Sequence, residues 1–194
     1  KKDLLYKKSQ PLKEKIFSNF KIKNKVKNPK NILVAAHDFT DAPHVHGNFI
    51  FNDFHDWMLY LGKKSNKIKE FNWLIKLHPA EYDDNFKYVK QFLTQFPRLK
   101  LLLKNTSHNE LISKGIKCIL TVYGSVSHEY PFFGIPVINA GENPHSGYNF
   151  SINPKNLSQY DNLINNLSNI KKPKDVNRIY EYYAMYNLVD FNLF

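Results

Sequence analysis

The chain has 194 residues, 42% of them hydrophobic and 23% charged, with a formal net charge of +11. That length supports a single domain with a substantial core, and no apolar run approaches the ~20 residues that a membrane-spanning helix needs. One cysteine, Cys118, excludes a disulfide framework and argues for a reducing compartment, and the lysine-rich start lacks the apolar stretch of a signal peptide.

Residues 1–30 hold eleven lysines against Asp3 and Glu14, a local balance of +9 that leaves +2 for residues 31–194. They read as a basic arm or linker, with one weak helical pattern at Leu12, Ile16 and Phe20. Such an arm can contact phosphate or an anionic membrane surface, or simply lead into the domain as a solvated segment. Residues 31–194 read as the domain itself.

Asn31–Ala36 is an apolar run of strand length, followed by a polar loop from His37 to Gly47. Phe51, Phe54, Trp57, Met58 and Leu61 recur at helical spacing, predicting a helix over Phe49–Leu61 that stops at Gly62. Phe71–Leu77 is a second strand, ended by His78-Pro79 because the residue before proline is pushed to extended geometry. Asp83 or Asp84 can cap a helix through Phe96, and Leu99–Lys104 is a third strand. Asn109–Lys114 makes a short helix stopped by Gly115. Cys118–Tyr123 is a fourth strand, with the cysteine as a small buried packing group. Gly124, Ser125 and Ser127 turn the chain into a short helix carrying Glu129, which closes at Pro131 and Gly134 before a fifth strand, Ile135–Asn139. Two closing helices are expected over Leu157–Ile170 and Asp175–Leu188.

Strands that are continuously apolar and alternate with helices call for a parallel sheet covered on both faces, a doubly wound, Rossmann-like α/β domain. Such sheets bind ligands at the carboxyl ends of their strands. Seven of the eight histidines, His37, His44, His46, His78, His108, His128 and His145, follow predicted strands and so fall on that one rim, while His55 sits inside a helix. The small-residue turn at Gly124–Ser127 opens a helix whose unpaired amides suit an anion, and Glu129 lies one turn on, within reach of a hydroxyl. A phosphorylated, hydroxyl-rich ligand such as a nucleotide sugar fits that set.

Neither the dinucleotide fingerprint nor a P-loop is present, and Gly124-Ser125-Val126-Ser127-His128 is not a nucleophile elbow. The histidines and aspartates of the first loop (His37, Asp38, Asp41, His44, His46) match no standard zinc spacing, so no metal is expected.

The combination of AAHDFTDAPH after the first strand, IKLHP ending the second and GSVSHEYPFFGIPVINAG near the end resembles the C-terminal, nucleotide-binding half of bacterial capsule and surface-polysaccharide glycosyltransferases of GT-B fold. It looks most like the capsular Kdo transferases, and more distantly like CDP-glycerol glycerophosphotransferases and the sialyl- and polysialyltransferases with a His-Pro motif. The likeness covers roughly residues 31–170. It implies that His78 contacts a donor phosphate, joined by His37 and Thr40, that Ser125 and Ser127 hold phosphate through hydroxyl and backbone donors, and that Glu129 binds the ribose. It implies a transferase without cofactor or metal, taking a nucleotide sugar donor, a CMP-sugar in particular. The glycan acceptor would be held by an N-terminal domain upstream of Lys1, so that this chain is a fragment and inactive alone. The catalytic residue would then lie elsewhere. The protein would work in the cytoplasm, at the inner face of the membrane, with no nucleic-acid partner. A glycerol-phosphate transferase or a non-catalytic nucleotide- or polyanion-binding module are the alternatives.

Overall fold

The computed structural model describes residues 26–37, 39, 42, 44, 47–78, 83–103, 106–173 and 175–187, with side chains at 83–85, 186 and 187 left aside. The helical pattern at Leu12, Ile16 and Phe20, and with it most of the arm, lies outside the described residues.

Five strands, β1 (Asn31–Ala35), β2 (Asn72–Lys76), β3 (Leu99–Leu101), β4 (Ile116–Thr121) and β5 (Val137–Asn139), form one parallel sheet in the order β3-β2-β1-β4-β5. The chain runs outward from β1 to one edge, then crosses back to the other side of β1 and runs outward again. That is the doubly wound topology expected from the alternation of apolar runs and helices, and it puts the switch point between β1 and β4.

Among the described residues there are six α-helices, α1 (Phe54–Lys67), α2 (Asp83–Gln95), α3 (His108–Ser113), α4 (Val126–Phe132), α5 (Leu157–Asn165) and α6 (Asn177–Asn187), of which the first five cover the sheet and α6 packs on Phe150. One face of the sheet buries Ile32, Val34, Trp73, Ile75, Cys118 and Leu120 against α1, α2 and α5; the other buries Leu33, Ile119 and Val137 against α3 and α4. The alternation along β1 and β4 shows why both strands read as unbroken apolar runs, since every position meets a helix layer. Within the larger core Trp57 Nε1 donates to the Tyr160 hydroxyl at 2.9 Å, giving a buried indole its partner. Cys118 is fully buried there, and its thiol is pushed up to about 12 by that burial.

Two helices and one strand differ in extent from the sequence reading. Helix α1 starts at an Asp53 cap, whose side chain accepts the Asp56 N–H at 2.7 Å, and passes through Gly62 to Lys67. Gly62 is not a stop: a Cβ there would come within 2.6 Å of the Phe96 ring, so glycine lets that ring lie on the helix backbone. The helix read as Leu157–Ile170 breaks at Asn166, whose side chain donates to the Asn162 carbonyl at 2.8 Å, and resumes as a 3-10 turn, Leu167–Asn169. Strand β3 is three residues long, with Leu103 beyond it 76% exposed.

Candidate functional site

At the carboxyl ends of the strands, the described residues that follow β1, β4 and β5 bond to one another over the switch point. After β1, His37 turns back across the sheet. Its Nε2 accepts the Tyr123 N–H at 3.2 Å and stands 3.2 Å from the Thr121 hydroxyl, both from the end of β4. The ring stacks on Phe54 at 5.0 Å, 15° from parallel, and lies 4.4 Å from the Tyr123 ring. Because Nε2 accepts a hydrogen bond from an amide, the imidazole is neutral with its own proton on Nδ1. Burial lowers its pKa to about 4, assisted by the positive charge of nearby His78, with the Tyr123 backbone opposing.

From the other side the turn is held by β5. The Gly124 N–H donates to Asn143 Oδ1 at 3.2 Å, and Asn143 is fixed by the Ser146 hydroxyl, which accepts its N–H at 3.0 Å, and by a 3.1 Å bond to the Gly141 carbonyl. Gly124 has φ 121°, a backbone setting that disfavours any side chain. The turn after β4 is thus clamped between the β1 and β5 loops. The amides of Tyr123, Gly124 and Ser127 are bonded within the protein, Ser127 to the Gly124 carbonyl at 3.1 Å, rather than all pointing outward.

The two serines separate. Ser125 is half-buried and makes no side-chain cap bond to α4. Ser127 is fully buried, its hydroxyl donating to Asn139 Oδ1 at 2.7 Å, while the Asn139 amide donates to the Ser151 hydroxyl and to Asn153 Oδ1 at 3.1 and 2.8 Å. Ser127 therefore anchors α4 from beneath.

A second polar group gathers on the opposite face. Lys76, last in β2, donates to the Thr106 carbonyl at 3.0 Å, and His108 Nδ1 lies 2.6 Å from the Tyr130 hydroxyl. Burial lowers the His108 pKa against the raising effect of Glu129, with Lys76 adding to the lowering. Burial, and then the Glu129 charge, raise that of Tyr130. Glu129 and Lys76 thus both lie within electrostatic range of His108.

The remaining histidines do other work. His128 Nδ1 is 2.7 Å from the Tyr183 hydroxyl, and His145, 2% exposed, stacks on Phe150 at 5.3 Å; Tyr182 of α6 lies against both histidine rings. His78 is exposed at the end of β2. Thr40, His46, Asp38, Asp41 and Pro79 lie outside the described residues. Asn139, Asn143 and Lys76 were missed in the sequence; the only trace of Asn139 and Asn143 is a pair of amides at the end of an apolar strand.

Among the described residues Asp53, His55 and Asp56 bring three potential metal-ligand atoms within 4.8 Å. The Asp53 carboxylate already caps α1, Asp56 accepts from Asn52 at 2.7 Å, and the positive end of the helix opposes a cation there, so the group is accounted for by capping.

No protein-family model matches the chain, and no curated protein does either. A solved structure, that of UDP-GlcNAc 2-epimerase from Neisseria meningitidis bound to UDP-GlcNAc, superposes with a TM-score of 0.52 at 18% identity, over 96% of this chain and 51% of that one. The match establishes the fold. This chain has a doubly wound, Rossmann-like architecture and spans about half the length of the structure it resembles. No helix among the described residues is long and apolar enough to cross a membrane.

Proposed function

We propose that this chain is the donor-binding half of a GT-B glycosyltransferase, taking a nucleotide-activated sugar, a CMP-sugar in particular, in the synthesis of capsule or surface polysaccharide. The observation that carries the reading is the clamped turn at Tyr123–Gly124, held over the β1/β4 switch point by His37 and Asn143 with His78 beside it. A ligand at that crevice meets a rigid turn, a strand-end histidine and the Ser125 hydroxyl, which together suit a phosphate. His78 contacts the donor phosphate and Ser125 adds a hydroxyl donor. His37 and Ser127 contribute by fixing the turn and α4, and Glu129 binds the ribose. Thr40 keeps its assignment from the sequence alone. The UDP-GlcNAc bound to the structurally similar epimerase supports the ligand class. The domain division, an arm over residues 1–30 and a donor-nucleotide domain over 31–194, belongs to the same proposal, as does an acceptor domain outside this chain.

Calorimetric titration with CMP, CDP, UMP and UDP, and with the matching nucleosides, tests it. His78→Ala weakens nucleotide binding by about 1.5–3 kcal/mol, the scale of a hydrogen bond to a charged group, and leaves nucleosides nearly unaffected. Ser125→Ala costs less. Equal losses for nucleotide and nucleoside, or no nucleotide binding at all, would overturn the assignment. The chain alone binds donor and transfers nothing; turnover of a nucleotide sugar onto an acceptor by this chain would overturn the half-site reading.

A further inference from the structure

The near-neutral balance of residues 31–194 conceals a polarised distribution. In a parallel sheet all strands begin at one edge, and here that edge is stitched together by polar contacts. The Lys30 carbonyl accepts the Asn72 N–H at 2.8 Å, and Asn31 Nδ2 donates to the Lys114 carbonyl at 3.0 Å. Arg98 donates to the Lys69 carbonyl at 3.0 Å, while Lys117 and Glu70 both meet Ser168, at 2.8 and 2.6 Å. Lys27, Lys30, Lys69, Lys114, Lys171 and Lys172 are all exposed around this edge. Lys114 is paired with Glu110 at 2.6 Å, and the Glu70 carboxylate accepts from Ser168. Carboxylates collect at the opposite rim, where Asp53, Asp56, Glu129 and Glu142 follow β1, β4 and β5. The lysine-rich stretch of residues 1–25 joins the domain at Val26–Lys30, on the basic edge.

We infer that the amino-terminal edge of the sheet is a docking face for an anionic lipid bilayer, turning the carboxyl-end crevice away from the membrane. The chemistry favours lipid over nucleic acid. The exposed cations are lysines, hydrated point charges spread over the ~20 Å spanned by five strands, which suits a diffuse layer of headgroups. Arg98, whose guanidinium would be the residue for forked recognition of a phosphodiester, is engaged with the Ser65, Lys69 and Phe71 carbonyls. Phe71, two residues from Lys69, and Phe96, two residues from Arg98, are each 6% exposed and offer no surface for base stacking. The inference does not depend on the nucleotide-sugar reading.

The test is sedimentation of the full chain with vesicles of phosphatidylcholine alone and with about a third phosphatidylglycerol. Binding is expected to the anionic vesicles only, at ~0.1 M salt, and is lost near ~1 M, where the screening length falls from ~10 to ~3 Å. Changing Lys30, Lys69, Lys171 and Lys172 together to Gln, with residues 1–25 intact, lowers partitioning at least tenfold, since one lysine near such a surface contributes about a fivefold factor. Changing Lys87, Lys90 and Lys155, which are exposed away from this edge, leaves it unaltered. Circular dichroism on each variant separates loss of binding from loss of fold. Equal binding to both vesicle types, full binding by the quadruple variant, or binding of a duplex oligonucleotide with none to vesicles would each overturn the inference.

Discussion

The state of His37 makes a prediction that stability measurements can reach without knowledge of any ligand. Its folded pKa is near 4, against an ordinary 6.5, because burial and the charge of His78 disfavour the imidazolium. The unfolded chain therefore binds a proton below about 6.5 that the folded chain refuses until about 4. The stabilising contribution is complete above 6.5 and is lost progressively as pH falls through that window. At ~1.4 kcal/mol per pH unit the whole span is worth about 3 kcal/mol, or about 2 once the partly open side of the ring is allowed for. Urea unfolding of the wild type and of His37→Gln, which cannot be protonated, at several pH values between 7 and 4 isolates it. The carboxylates that also titrate there are common to both proteins and cancel in the difference. The variant is expected to be the less stable at pH 7, having lost the stack on Phe54, but to lose about 2–3 kcal/mol less than the wild type on acidification. Parallel pH profiles would refute a buried neutral His37, and with it the clamp on the Tyr123 amide.

Gly62→Ala forces a Cβ into the Phe96 ring and should cost about 1–3 kcal/mol despite the gain in helix propensity; unchanged or raised stability in denaturant titration would show that the ring does not rest on the helix. Ser127→Ala strands the buried Asn139 carbonyl oxygen and should cost about 1–3 kcal/mol, whereas Ser125→Ala should stay within about 0.5; equal effects would undo the distinction between anchor and rim. Removing residues 1–25 leaves Val26 in place against Gly115 and should barely move the melting temperature, a loss above about 2 kcal/mol being the sign that the arm packs on the domain.

The architecture was legible because its determinants are local. The Phe54, Trp57, Met58 and Leu61 spacing specifies a buried helix face, and runs such as Ile32–Val34 and Cys118–Leu120 specify strands covered on both sides. Gly62 was misread because its reason, the ring of Phe96, lies more than thirty residues away in sequence. The histidine row shows the same limit. All the described members follow strands, yet whether a strand-end histidine stays exposed, like His78, or is covered by a tyrosine of α6, like His128, depends on where the last helix lands. Ser127 and Asn143 likewise take their roles from partners twelve and nineteen positions away, Asn139 and Gly124, which no spacing rule anticipates.

The sheet order has a further consequence for how the chain reaches this structure. Strand β1 pairs with β2 some forty residues later, Leu33 with Leu74, but its other flank waits for β4, where Leu33 meets Ile119. Until residue 121 has been made, the central strand, with Ile32, Leu33 and Val34 no more than 1% exposed in the finished protein, presents an open apolar edge. At ~5–20 residues per second of synthesis that interval lasts on the order of ten seconds, long compared with the collapse of the first half. Residues 31–101 are therefore expected to form a β1–β2–β3 half-sheet that needs a chaperone or a dilute environment, and a nascent chain stalled between β3 and β4 should be the species most prone to aggregate.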